Sequence, residues 1–218
     1  MKQVFLLLLM SVIISVISFI SEIETEAIDI QEDNMEIKKL LLPEANSKPR
    51  SFPITHIMLH FISNVYQKPD CPYRVVDIYD LFYKEGLSSH YLIDRDGEIF
   101  QLVSENRVAY HAGKSSLPDL PFFEHMMNEY SIGIELMAIG TKEEMVTMIT
   151  ETTYDALDPA AIGYTEQQYT ALSKLLQQLY HRYPTISQSR FHVIGHEDYA
   201  AGRKVDPGEL FDWGKIGY

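Results

Sequence analysis

Residues 54–62 read ITHIMLHFI, a run in which only Thr55, His56 and His60 are not apolar. A short apolar run of this kind suits a strand buried on at least one face. On its C-terminal side, VVDIYDLFYKEG (75–86) has helical spacing and stops at Gly86, the residue type favoured just past a helix end. SSHYLIDRDGEIFQLV (88–103) contains two strand-like runs joined through Asp96-Gly97, a strong hairpin signature. SIGIEL (131–136) predicts another strand, and RFHVIGH (190–196) a last one ending at His196. Between them, TEQQYTALSKLLQQLYHRYP (165–184) predicts an amphipathic helix, with Thr165 as N-cap and Gln168 completing a capping box. Residues 137–164 lack clear periodicity and read as an inserted loop with a helical piece. Strands interleaved with helices in this order predict an α/β fold: a mixed central β-sheet flanked by helices.

On the N-terminal side the character changes. Lys2 is followed by VFLLLLMSVIISVISFI (4–20), 17 uncharged, mostly apolar residues broken only by serines. That pattern makes residues 1–21 a signal peptide or an N-terminal anchor and predicts an exported protein, periplasmic, secreted or held outside the cytoplasm. The run nearly reaches the ~18 residues of a spanning helix, so membrane attachment through this segment stays open. Residues 22–36 carry seven acids and no base, and with Pro43, Pro49 and Pro53 nearby, residues 22–51 read as an acidic tether. The domain is then expected over 52–218. A formal net charge of −13 argues against nucleic acid as partner, because phosphate binding needs clustered Lys and Arg. The only cysteine, Cys71, rules out an intrachain disulfide and a lipid-bearing cysteine after the apolar run.

Close to the C-terminus, GHEDYAAGRKVDPG (195–208) gathers a histidine, three acids, Arg203, Lys204 and three glycines. Little in it can be buried in a core. It is either a solvated turn or a site. A catalytic zinc needs about three protein ligands and an open position. His196 at a strand end and Asp206 ten residues later, with glycines letting the loop fold back, are two candidates. His60, near the end of the first strand, is the third, because adjacent strand ends are where α/β sheets build sites.

Taken in order, ITHIMLH, SSHYLIDRDGEIFQLV, VAYHAG, NEYSIGIEL, YTEQQY and GHEDYAAGRKVDPG resemble the zinc-dependent N-acetylmuramoyl-L-alanine amidases of the amidase-2 family, which includes phage amidases and is similar to peptidoglycan recognition proteins. The resemblance spans roughly residues 54–216 and rests on six motifs. It implies an amidase-like mixed sheet, a bound Zn2+ and hydrolysis of the amide between the lactyl group of N-acetylmuramic acid and L-alanine, with peptidoglycan or muropeptides as substrate. It places the metal ligands on His60, His196 and Asp206, the catalytic acidic residue on Glu135, and the catalytic lysine on Lys204 rather than Arg203. Alternation in SIGIEL sets Glu135 opposite Ile132, Ile134 and Leu136, pointing away from the apolar face. Two departures from the family pattern stand out: Ala201 where proline is usual, and Tyr110 where tryptophan is common.

Of the remaining histidines, His56 shares strand parity with His60 and is expected to be structural. His90 and His111 are expected beside the metal or in the groove without ligating it. His125, His181 and His192 suggest no role. Glu197 and Asp198 read as caps and orienting partners. Two rival functions remain on this reading: a muropeptide-binding module without catalysis, and a zinc hydrolase of another amide.

Overall fold

The run at 54–62 forms the centre of the sheet. In the computed structural model, which describes residues 36–117 and 123–218, strand β3 covers His56–Ile62 and pairs in parallel on both sides, with β7 (Ser131–Met137) and with β8 (Val193–Gly195). Beyond β7 lie β4 (Tyr91–Ile93), parallel to it, and β5 (Ile99–Gln101), antiparallel to β4 across the Asp-Gly turn. The six-stranded order is completed by β1 (Ile37–Lys39), parallel to β5 at one edge, with β8 at the other. The sheet is mixed, as expected, and β7 is buried along its whole length.

The domain starts earlier than its sequence suggests. Residues 36–51 were expected to be the end of a tether, yet they belong to the compact unit Glu36–Tyr218. Besides β1, they supply β2 (Ser47–Pro49), which pairs antiparallel with β6 (Arg107–Ala109). Leu42 packs in a cluster with Ile78, Phe82 and Leu92. The part-buried Arg50 guanidinium donates to the carbonyls of Glu105, Arg107 and Ser131. Three-residue edge strands rich in Lys and Pro carry no periodicity, so composition alone makes them look like linker. The segment proposed for export, 1–21, and the leader residues 22–35 lie outside the described residues. Among the described residues no helix is long and apolar enough to cross a membrane.

Helix α1 (Val75–Glu85) ends at Gly86 in the left-handed conformation and sets Ile78 and Phe82 against Leu92. A single turn, α2 (Met127–Tyr130), leads directly into β7. The insertion after β7 is more ordered than its sequence suggests: α3 (Lys142–Met145), α4 (Glu151–Asp155) and a 3-10 turn at Pro159–Ala161 bury Ile139, Met145, Ile149 and Leu157 around Val65. Helix α5 (Glu166–Arg182) has the expected capping box, and its buried face carries Leu172, Leu175, Leu176 and Leu179. Gln168 does two jobs. Its oxygen accepts the Thr165 N–H (3.0 Å), while its amide nitrogen donates to the Met137 carbonyl at the end of β7 (2.9 Å).

Two faces follow from strand alternation. Residues paired across neighbouring strands point the same way, so Leu92, Glu135 and His60, which are in register across β4, β7 and β3, share one face. On β7 that face reads Ser131, Gly133, Glu135, Met137, and the opposite one Ile132, Ile134, Leu136. A buried strand that presents serine, glycine and glutamate on one side before its final methionine has a site to serve there.

Candidate active site

His60, Glu135 and His196 meet at the C-terminal ends of three parallel strands, where open α/β sheets place their ligands. His60 lies inside β3, two residues before its end, and its register partner on β7 is Glu135. The expected strand over 190–196 is shorter than its sequence implied. Only Val193–Gly195 pairs, and His196 opens a helical turn, α6 (His196–Tyr199). The turn forms because Asp198 reaches back to accept the Gly195 N–H at 2.7 Å while also accepting from Arg190, the orienting role anticipated for it. After Tyr199 the chain turns at Gly202 (φ 76°), and the Glu197 N–H bonds the Asp206 carbonyl at 2.9 Å. That closure carries Asp206 back beside His196.

The three side chains converge on one point. His60 Nδ1 lies 2.7 Å from Asp206 Oδ2 and 3.1 Å from His196 Nδ1, which is 3.0 Å from the same oxygen. Their relative exposures are 2%, 9% and 2% for His60, Asp206 and His196. The far side of each ring is already engaged. His196 Nε2 lies 2.9 Å from the Ala112 carbonyl, which can only accept, so that nitrogen carries a hydrogen. His60 Nε2 contacts His111 Nδ1 at 3.0 Å. His111 Nε2 in turn reaches Ser131 Oγ at 3.2 Å, whose hydroxyl donates to the Met127 carbonyl at 2.6 Å. Because Ser131 donates onward, it accepts from His111 Nε2–H. His111 Nδ1 is then the acceptor, and His60 Nε2 is the donor. Both Nδ1 lone pairs therefore face the Asp206 carboxylate with no proton assigned between them. Three buried acceptor atoms converging in this way fit a metal cation.

Electrostatics agree with this assignment. Burial pushes the His60 imidazole down to about 4, with the nearby Asp206 carboxylate opposing and the neighbouring His196 and Lys204 charges adding to the fall. Burial alone would raise the Asp206 carboxyl, but its close contacts with the two imidazoles outweigh it and hold the group well below the usual carboxylate range. Glu135, only 6% exposed, moves the other way. Burial first, then the Asp206 charge, pushes its carboxyl well above the ordinary glutamate value, with Lys204 opposing. Lys204 is exposed on the turn after α6, and its charge is felt by both His60 and Glu135. Arg203 is occupied elsewhere, donating to the Ala112 carbonyl at 3.1 Å.

His56 is structural, as expected, whereas His90, expected beside the metal or in the groove, is fully buried against backbone. His56 bonds Thr55 Oγ1 at 2.7 Å and packs edge-on against Phe123. His90 Nδ1 accepts the Gly133 N–H at 3.0 Å, and its Nε2 faces the Arg107 carbonyl at 3.1 Å. Gly133 is required where it stands: a Cβ there would come within 2.6 Å of the His111 ring.

Sequence reasoning missed the supports supplied by the insertion. Glu144 accepts the Glu209 N–H at 2.9 Å and sits so close to Gly208 (φ 78°) that a Cβ at that position would meet its carboxylate at 2.4 Å. The Tyr164 hydroxyl donates to the Pro207 carbonyl at 2.6 Å. The insertion thus grips the chain on both sides of the turn following Asp206. Only the acid and tyrosine themselves were visible in the sequence, with no spacing to tie them to a loop more than 40 residues away.

A mixed α/β sheet with two histidines and two carboxylates buried at its parallel strand ends defines a class of hydrolytic enzyme. The chain belongs to the N-acetylmuramoyl-L-alanine amidase family, whose profile matches residues 50–209; the enzymes of this family cleave the amide between N-acetylmuramic acid and L-alanine. It is similar to the 1,6-anhydro-N-acetylmuramyl-L-alanine amidase AmpD of Haemophilus influenzae, at 28% identity over 188 residues, covering 81% of this chain and 88% of that protein. Among solved structures, it resembles a selenomethionine derivative of AmpD, with a TM-score of 0.61, 28% identity, and coverage of 83% of this chain and 92% of that one. It also resembles Escherichia coli AmiD in complex with the substrate anhydro-N-acetylmuramic acid-L-Ala-D-gamma-Glu-L-Lys. There the TM-score is 0.54 and the identity 27%, over 75% of this chain and 56% of that one.

Proposed function

We propose that the site holds Zn2+ on His60 Nδ1, His196 Nδ1 and Asp206, and that Glu135 and Lys204 carry the hydrolysis of the muramoyl–L-alanine amide. The observation supporting this most directly is the convergence of three buried acceptor atoms beside a buried glutamate in register with one of them. When bound, zinc supplies Lewis acidity toward the scissile carbonyl and toward water. Glu135 accepts the proton of the attacking water and delivers it to the departing alanine nitrogen. Its raised pKa fits a group that must hold that proton between the two transfers. Lys204 places a positive charge where the tetrahedral oxyanion develops, a role worth roughly 3–4 kcal/mol. His111 and the Ala112 carbonyl keep the two rings oriented.

The substrate class in this reading is a muropeptide or peptidoglycan strand, in keeping with the anhydromuramoyl peptide held by AmiD. Mass spectrometry of defined muropeptides, with and without the 1,6-anhydro end, tests it: the expected products are the free muramoyl sugar and a peptide beginning with L-alanine. Intact substrate alongside slow cleavage of simple acyl amino acids would replace this reading with a hydrolase of another amide. Retention of the muropeptide without any cleavage would leave a binding module. Metal analysis of protein purified without chelator is expected to give about one zinc per chain.

A further inference from the structure

Both candidate metal histidines are oriented from behind, and both orienting groups come from one stretch of chain, His111-Ala112. That stretch lies in no helix and pairs in no strand, so something else must hold it. The side chain of Asn128 does so. Its Oδ1 accepts the N–H of His111 at 3.0 Å and the N–H of Ala112 at 2.8 Å. Two backbone donors converging on one atom require the amide oxygen there, which settles which way the Asn128 amide faces. The same helical turn, α2, supplies the Met127 carbonyl that receives the Ser131 hydroxyl, fixing the far end of the His111 chain.

We propose that Asn128 is a positioning residue for the metal centre: by clamping the His111 and Ala112 amides, it sets the Nε2–H tautomer and ring orientation of His60 and His196 together. This rests on the zinc reading given above. The two branches separate after Asn128. One runs through the His111 ring to His60 Nε2, and the other through the Ala112 carbonyl to His196 Nε2. Loss of the amide oxygen releases both, because the 111–112 backbone loses the acceptor that ties it to α2. Gly133 and Ser131 on the face of β7 leave room for the His111 ring and a partner for its outer nitrogen, but neither touches the His196 branch. Among the described residues, Asn128 alone serves both. It contacts neither ligand, and Asp at this position would keep the accepting oxygen.

The test is zinc affinity of the folded full chain, measured by competition with a chromophoric chelator using zinc ion alone, together with ring-nitrogen NMR of the histidines in the zinc-loaded protein. Asn128→Ala is expected to weaken zinc about 10–100-fold, the usual effect of removing an outer-sphere partner, and to broaden or shift the Nε2–H signatures of both His60 and His196. Asn128→Asp is expected to restore both readouts close to wild type. A role confined to folding would lower stability without altering the ring signatures of the folded, loaded protein. Wild-type affinity and unchanged ring signatures in folded Asn128→Ala would overturn the proposal. If that variant does not fold, Asn128→Ser, whose shorter side chain does not reach both amides, takes its place with the same expected losses, and wild-type affinity with unchanged ring signatures in it overturns the proposal equally. A wild-type protein that binds no zinc would remove the metal reading itself, and this proposal with it.

Discussion

Acidification should unfold this protein through His90, and the size of the effect follows from its surroundings. The imidazole is fully buried. Burial, reinforced by the adjacent Arg50 guanidinium, pushes its pKa from 6.5 down to about 3. In the unfolded chain the same ring titrates near 6.5. Below that value the unfolded state binds a proton that the folded state refuses, so stability is fully present above pH 6.5 and is lost as pH falls toward 3. At pH 5 the unfolded ring is about 97% protonated and the folded ring about 1%, which places the loss between pH 7 and pH 5 at about 2 kcal/mol. His56, pushed by burial and by His192 to about 4, adds a loss of similar size. Against a typical total of 5–15 kcal/mol, the pair matters. The raised carboxyls of Glu135 and Glu197, the latter at about 7 through burial and neighbouring acids, act in the opposite direction. The informative quantity is therefore a difference between variants. Urea unfolding of metal-free wild type and His90→Gln at pH 7, 6 and 5 supplies it, since chelation removes the proton linkage of metal binding. Glutamine offers one acceptor and one donor but no titrating proton, so its stability should fall by about 2 kcal/mol less than wild type over that range. Parallel stability–pH curves for the two proteins would refute the reasoning.

Three further outcomes are expected. Glu135→Gln and Lys204→Ala should keep the fold and the zinc while losing roughly 10²-fold or more in muropeptide turnover; near-normal turnover by the Glu135 variant would take it out of the mechanism. Gly133→Ala should cost about 1–3 kcal/mol in chemical denaturation, because its Cβ would come within 2.6 Å of the His111 imidazole; unchanged stability would mean that the ring has room to move. Export is the expectation from residues 1–21: fractionation with N-terminal sequencing should find the protein outside the cytoplasm, either shortened or membrane-bound with its front intact, and cytosolic recovery with Met1 or Lys2 in place would sink that reading.

Much of this protein could be read along the chain because local chemistry specifies it. Helix α5 announces itself through Thr165, Gln168 and its leucine spacing, the hairpin through Asp96-Gly97, and α1 through Gly86, since caps and turns depend on residues a few positions apart. The strand alternation of SIGIEL placed Glu135 on the face opposite Ile132, Ile134 and Leu136, and six motifs together named the residues that converge at the site. What lay beyond the sequence was everything that depends on contacts between distant segments. Residues 36–51 look like tether because an edge strand of three residues acquires its identity only from the partner it pairs with, here β5 and β6. His196 looked like the end of a longer strand, but Asp198 turns the chain into a helical turn one residue earlier than alternation implied. The supports of the site are more hidden still: Asn128 holds a segment 16 and 17 residues away, and Glu144 a loop 65 residues away. A hydrogen bond across such separations leaves no period in the sequence. Burial has the same character, for it is the packing of the whole domain around Glu135, His60 and His90 that moves their protons, and no window of the chain contains that packing.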